Sequence, residues 1–124
     1  MNIRRVKDLE AYRCAFEFQQ QVFVVSKKWP RDETYSLTDQ IRRSSRSIGS
    51  NLAEAWAKRR YPAHFLSKLT DSGGELQESI HWLDTAQACE YLGMDDHTKL
   101  LQAAETLGRL LGGIMAKHET FCLR

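Results

Sequence analysis

Apolar residues recur at intervals of three and four along nearly the whole chain, which is the period of a helix with one buried face. Leu37, Ile41, Ile48, Leu52 and Ala55 share one face. Leu66, Leu69, Gly73, Leu76, Ile80 and Leu83 share another, and Leu100, Ala104, Leu107, Leu111 and Ile114, with Leu110 beside them, a third. No stretch alternates apolar and polar residues long enough to make a strand. Pro30 and Pro62 fall between the periodic segments, and the residue before each disfavours helix. The pattern predicts helices over about 8–28, 37–60, 62–92 and 95–120. Hydroxyls of Ser36 or Thr38 are placed to cap the second, Pro62 opens the third, Gly93 closes it, and Asp95 or Asp96 caps the fourth. Short connections favour antiparallel neighbours, so the expected fold is all-α: a single antiparallel up-down-up-down four-helix bundle over residues 1–124.

The first segment carries two stripes. Leu9, Tyr12, Phe16 and Phe23 form one. Ala11, Ala15, Phe18, Val22, Val25 and Trp29 form the other, roughly 130° away on a helical wheel. A helix buried more deeply than its neighbours accounts for both. So does a second stripe, centred on Phe18, Val22, Val25 and Trp29, that packs on another subunit instead of facing water. The second is the expectation adopted here.

Gln40, Ser44, Ser47, Asn51 and Glu54 recur at four, three, four and three residues, a polar and mostly small stripe beside the apolar face of the second segment. Small side chains let helices approach, and buried polar groups must be paired, so a hydrogen-bonded ladder that fixes bundle register is expected. A ligand groove is the alternative. Arg42, Arg46 and Arg60 fall within roughly 40° of one another on the same wheel, opposite the apolar face. Arg43 lies on the flank, and Lys58 and Arg59 add charge at the end. Arginine suits phosphate because its planar fork bonds bidentately, so a nucleic-acid contact is one reading of this face, beside a merely solvated charged face and an inter-subunit salt-bridge role. Residues 1–31 hold seven Lys/Arg against three Asp/Glu, residues 37–60 six against two, and residues 61–92 one against five. The net charge of +2 therefore hides a basic half and an acidic third helix. The basic half meets nucleic acid or the acidic helix of a neighbouring copy.

At 124 residues with 42% hydrophobic content, the chain can build one core without staples and is not disordered. The longest run free of charged residues and histidine is Phe18–Ser26, far short of the ~20 residues that span a bilayer. The N-terminal stretch lacks the apolar segment of a signal peptide, so a cytoplasmic location with reduced Cys14, Cys89 and Cys122 is expected. Glu78 and His81 have the E-x-x-H spacing of di-iron bundles, but Met115 stands three residues before His118, where the second copy would need a glutamate. His64, His97 and His118 sit at helix ends. Gly73-Gly74 and Gly112-Gly113 lie inside helices, where close helix packing is expected. No nucleophile set, phosphate loop, metal site or cofactor site is apparent, so no enzymatic activity is expected.

The second segment reads Leu37-Thr38-Asp39-Gln40-Ile41-Arg42-Arg43-Ser44-Ser45-Arg46-Ser47-Ile48-Gly49-Ser50-Asn51-Leu52-Ala53-Glu54. It resembles the signature of bacterial four-helix proteins encoded in intervening sequences of large-subunit ribosomal RNA genes. Leu9, Tyr12, Trp29-Pro30, Glu33, Tyr35 and Leu37 are similar to that family's opening, and Ser72-Gly73-Gly74-Glu75-Leu76 with Glu78 to its third-helix motif. The likeness covers residues 6 to about 92. Gly49 stands where a proline is usual and Ala55 where a glycine is usual. The family is related to accessory proteins of diversity-generating retroelements, which are pentameric rings that bind nucleic acid and a reverse transcriptase. The resemblance implies a bundle, a cyclic homo-oligomer with a pentamer the best guess, and RNA or DNA and a reverse transcriptase or other ribonucleoprotein component as partners. It implies no enzyme activity. A protein-interaction scaffold without nucleic-acid binding is the other reading.

Overall fold

The computed structural model describes residues 3–123. Four long helices, α1 (Glu10–Ser26), α2 (Leu37–Ala57), α3 (Pro62–Ala88) and α4 (Met94–Ala116), form the bundle, followed by a single turn, α5 (His118–Phe121). Each long helix packs on its neighbours in sequence, and α4 closes back on α1. Among the described residues there is no strand, and no helix is long and apolar enough to cross a membrane.

The ends differ from the sequence pattern, and each difference has a local cause. A 3-10 turn, Val6–Asp8, precedes α1, and the Asp8 carboxylate accepts the N–H groups of Arg4 and Arg5, both at 3.0 Å. Neither Ser36 nor Thr38 caps α2 with its hydroxyl. Glu33 does so instead: Oε1 accepts the Leu37 N–H at 3.3 Å while Oε2 accepts the Tyr91 hydroxyl at 3.0 Å, tying the α1–α2 connection to the α3–α4 connection. The second helix ends at Ala57, so Lys58, Arg59 and Arg60 lie in a turn. Pro62 opens α3 as expected. That helix stops at Ala88 and not near Leu92, because Glu90 turns left-handed (φ 65°). The Tyr91 N–H then reaches back to the Ala86 carbonyl at 2.9 Å, a Schellman closure. Gly93 instead precedes α4, with φ −71°, and Asp95 and Asp96 lie in its first turn, where the helix dipole favours them. Glu90→Gly should stabilise the fold by about 0.5–1 kcal/mol, the left-handed strain of roughly 1–2 kcal/mol less the extra chain entropy of glycine. The urea midpoint checks it.

The core is built by Phe18, Val22, Ile41, Ile48, Leu52, Phe65, Leu69, Leu76, Leu83, Leu107 and Leu111, all essentially inaccessible. The expected stripes of α2 and α4 are buried as read. That of α3 is rotated: Phe65, Leu69, Ser72, Leu76, Ser79, Leu83 and Ala86 face inward, while Leu66 and Ile80 are only half-buried. Two serines inside a leucine seam concealed its true centre.

The second stripe of α1 requires a correction. Phe18 is 1% exposed, Val22 0% and Trp29 7% within a single chain, and Val25 is half-buried. Phe18, Val22 and Trp29 therefore fill this bundle and have no surface to give a neighbour. Of the other stripe Leu9 is buried as well and Tyr12 and Phe23 are half-buried, so that only Phe16, 50% exposed, faces water. Only the orientation of α1 against α2 and α4 decides between two apolar faces.

Candidate nucleic-acid interface

The tightest seam, α2 against α3, is polar at its centre. The Ser44 and Ser79 hydroxyls, both buried, share a hydrogen bond at 2.8 Å, and the Ser72 hydroxyl donates to the Ile48 carbonyl at 2.8 Å. Ser79 donates to the Glu75 carbonyl of its own helix at 2.9 Å, which makes Ser44 the donor in the shared bond, with the Ile41 carbonyl at 3.3 Å as its alternative acceptor. Farther along, Glu54 pairs with Lys68 of α3 at 2.8 Å. The ladder expected on α2 thus forms at Ser44 and Glu54. Gln40 is exposed, and the side chains of Gln40, Ser47 and Asn51 make no hydrogen bond to another helix among the described residues. The partners Ser72 and Ser79, seven residues apart on α3, were the missing half of the pattern.

On the opposite edge of α2 the charge is organised by an aromatic ring. The Phe23 ring of α1 has Lys27 Nζ at 4.7 Å, the Arg42 guanidinium at 4.9 Å and that of Arg46 at 5.6 Å from its centroid. The ring quadrupole attracts cations at such distances. Arg42 is fixed further, since its Nε–H donates to Ser26 Oγ at 2.9 Å and that hydroxyl donates to the Phe23 carbonyl at 3.0 Å. None of these three cations has a carboxylate partner among the described residues. Arg43, by contrast, is paired with Asp39 at 2.9 Å.

The remaining basic candidates sit at the other end of the bundle. The Arg59 guanidinium lies over the Trp56 ring, 3.7 Å from its centroid, and donates to the Trp56 carbonyl at 2.8 Å. Burial pulls its pKa down, yet a guanidinium stays charged. Trp56 is held in turn by Phe121 of α5, edge-on at 6.3 Å, and by its Nε1–H donating to the Arg4 carbonyl at 3.1 Å. Arg60, past the end of α2, does not continue the wheel of Arg42 and Arg46. Lys58 and Arg60 are exposed. The sequence reading also missed Phe23 and Lys27, although their i,i+4 spacing on α1 places a cation over a ring.

The acidic side is α3. Burial, then Glu78 and Asp71, raise the pKa of Glu75, while a hydrogen bond from Lys68 chiefly lowers that of Glu54. Glu78 and His81 are exposed, the Glu78 carboxylate accepts Trp82 Nε1–H at 3.2 Å, and the His81 ring packs edge-on against Trp82 at 4.8 Å. No cluster of three His, Cys, Asp or Glu side chains is arranged to hold a metal among the described residues.

Fold and surface together define a four-helix bundle with segregated charge. The 23S rRNA-intervening sequence protein family matches residues 7–113, and the chain belongs to that family. It is also similar to a crystal structure from Bacteroides thetaiotaomicron, a protein with unknown function from the S23 ribosomal protein family. That likeness has a TM-score of 0.77 and 24% identity, over 86% of this chain and 95% of the other, and it speaks for the fold. No curated protein matches the chain.

Proposed function

We propose that the protein is a non-enzymatic accessory of nucleic acid, RNA or DNA, in a ribonucleoprotein, and that the α1–α2 face holds the phosphate backbone. The observation that carries this reading is the group of three cations, Lys27, Arg42 and Arg46, converging on Phe23 with no carboxylate partner among the described residues. Unpaired cations held in place by a ring and a serine are prepared for an anionic partner and lose little entropy when it arrives.

A second reading is favoured by the acidic helix. Glu78 and Asp71 stand close enough to half-buried Glu75 to oppose its ionisation, and a second copy could bring its Phe23 cluster to this acidic face in a head-to-tail ring. Such a ring, a pentamer by family resemblance, would rest on charge and on exposed Phe16 or Val24 rather than on Phe18, Val22 and Trp29.

One variant separates the two. Lys27→Ala/Arg42→Ala/Arg46→Ala should keep its helicity, bind DNA duplex more weakly, and flatten the log–log salt dependence by about 2.7. Fluorescence anisotropy at several salt concentrations checks it. Unchanged affinity and slope, with a drop in particle mass by light scattering, would assign the cations to copy–copy contact instead.

A further inference from the structure

We infer that the outer face of α1 takes a single strand of nucleic acid, with a base lying against Tyr12 and Phe16 and the phosphates held by the cations around the row; this rests on the nucleic-acid reading above. Tyr12, Phe16, Gln19 and Phe23 fall within roughly 60° of one another on α1, and the rise of a helix spreads Tyr12 to Phe23 over about 16 Å. A Cβ built at Gly49 would lie 3.9 Å from the Tyr12 ring and from Gln19 Oε1, so the middle of α2 runs beside this row. Phe16 is half exposed, and Tyr12 and Phe23 are half-buried.

The two ends of the row differ. At one, the Phe23 ring is taken up by Lys27, Arg42 and Arg46, which offer phosphate contact. At the other, Tyr12 and Phe16 line an open cavity of about 400 Å³ together with Lys7, Arg13 and Glu17, a volume at the small end of ligand pockets. Arg13 is held there by donating to the Lys7 carbonyl at 2.9 Å. Lys7, Arg13 and Glu17 are exposed, and none is in an ion pair among the described residues. Glu17 is what phosphate contact alone does not explain. A carboxylate repels phosphate, but it accepts the N–H groups of a base edge. Rings for the face of a base, a carboxylate for its edge and two cations for the flanking phosphates together suit one nucleotide. Between the two ends stand the amides of Gln19 and Gln20, joined at 3.2 Å, which can bond further base edges.

A duplex keeps its bases stacked inside and shows a protein its backbone and groove edges, to which a phenyl face adds little. In a single strand each base can swing out and stack on a ring, whatever its identity, because every base has a π-face. Phe16 is the ring on this face left to solvent, and it stands in the cavity that also holds unpaired cations.

The test follows the fluorescence anisotropy of a labelled DNA strand of about a dozen nucleotides, the RNA strand of the same sequence, the DNA duplex, and an abasic DNA strand of equal length. The base-bearing strands should bind about tenfold tighter, or more, than the duplex and the abasic strand. The tighter of the two tells whether the face takes RNA or DNA, since the 2′-hydroxyl separates them. Phe16→Ala should weaken the base-bearing strands roughly 5- to 150-fold, the range for one lost stack, with the salt slope unchanged and no effect on the abasic strand, and Phe16→Trp should restore binding. Lys7→Ala/Arg13→Ala should flatten the strand salt slope by about 1.4. All three side chains are exposed, so these variants should fold and keep the wild-type particle mass. A duplex bound as tightly as the strands, or a Phe16→Ala effect that is absent or equal on the abasic strand, would overturn the inference and leave the nucleic-acid reading standing. A fall in particle mass of Phe16→Ala at unchanged strand affinity would also overturn it and give the ring to a neighbouring copy. No binding to any of the four ligands would remove the nucleic-acid reading itself.

Discussion

Val22→Asp should unfold the bundle, not release folded subunits from an assembly. Val22 is 0% exposed and lies on the inward face of α1 with Ala11, Ala15 and Phe18. A carboxylate there has no hydrogen-bonding partner, so it must either take up a proton or draw water into the core. Losing the valine contacts and burying an unpaired polar group together cost about 4–5 kcal/mol, comparable with the whole stability of an ordinary domain of about 5–15 kcal/mol. Loss of the far-UV helical signal at 25 °C, or a urea midpoint near zero, is the expected result. A well-folded Val22→Asp monomer, against a wild type of higher mass, would show instead that α1 turns this face to a neighbour.

Gly74→Ala/Gly112→Ala/Gly113→Ala should raise stability by about 2–3 kcal/mol, since each glycine inside a helix costs roughly 0.8–1 kcal/mol against alanine. All three are exposed, none has a positive φ, and a Cβ built at any of them meets nothing within 4 Å. The expectation that these pairs let helices pack closely is thereby corrected for these three. Gly73 and Gly108 do face a neighbour, but at the ordinary distance of 3.5 Å, to Met115 Cε and Leu76 Cδ2. For a chain of this size the gain corresponds to a rise in melting temperature of roughly 8–12 °C. A fall would mean that something beyond the single chain lies against that α3–α4 surface and needs it flat.

The two outcomes have a common logic. A hydrophobic pattern reports how apolar each face is, but not what covers it. On α2 and α4 one stripe is far more apolar than the rest, so Ile41, Ile48, Leu52, Leu107 and Leu111 could be assigned to the core from spacing alone. Helix α1 offers two stripes of similar strength, and the choice between them is made by its neighbours. In α3 the inward positions include Ser72 and Ser79, which no apolar count would place in a core. They are tolerated there because each hydroxyl has a partner, at Ile48 and Ser44.

The same division holds for the surface. Charge segregation between α2 and α3 is a property of the sequence, since residues close together in a helix share an environment. The meeting of Lys27 and Phe23 with Arg42 and Arg46 belongs to the pairing of two antiparallel helices. Arg60 was grouped with Arg42 and Arg46 by a wheel that assumed α2 continues to residue 60, whereas it ends at Ala57. The four long helices, their order and the proline breaks were determined by the sequence, because periodicity and proline act locally, whereas the separate turn α5 was merged with the fourth. Which face of α1 is buried, which serines pair, and which cations stand together without a carboxylate were decided only by the tertiary structure, because each depends on contacts between residues far apart in the chain.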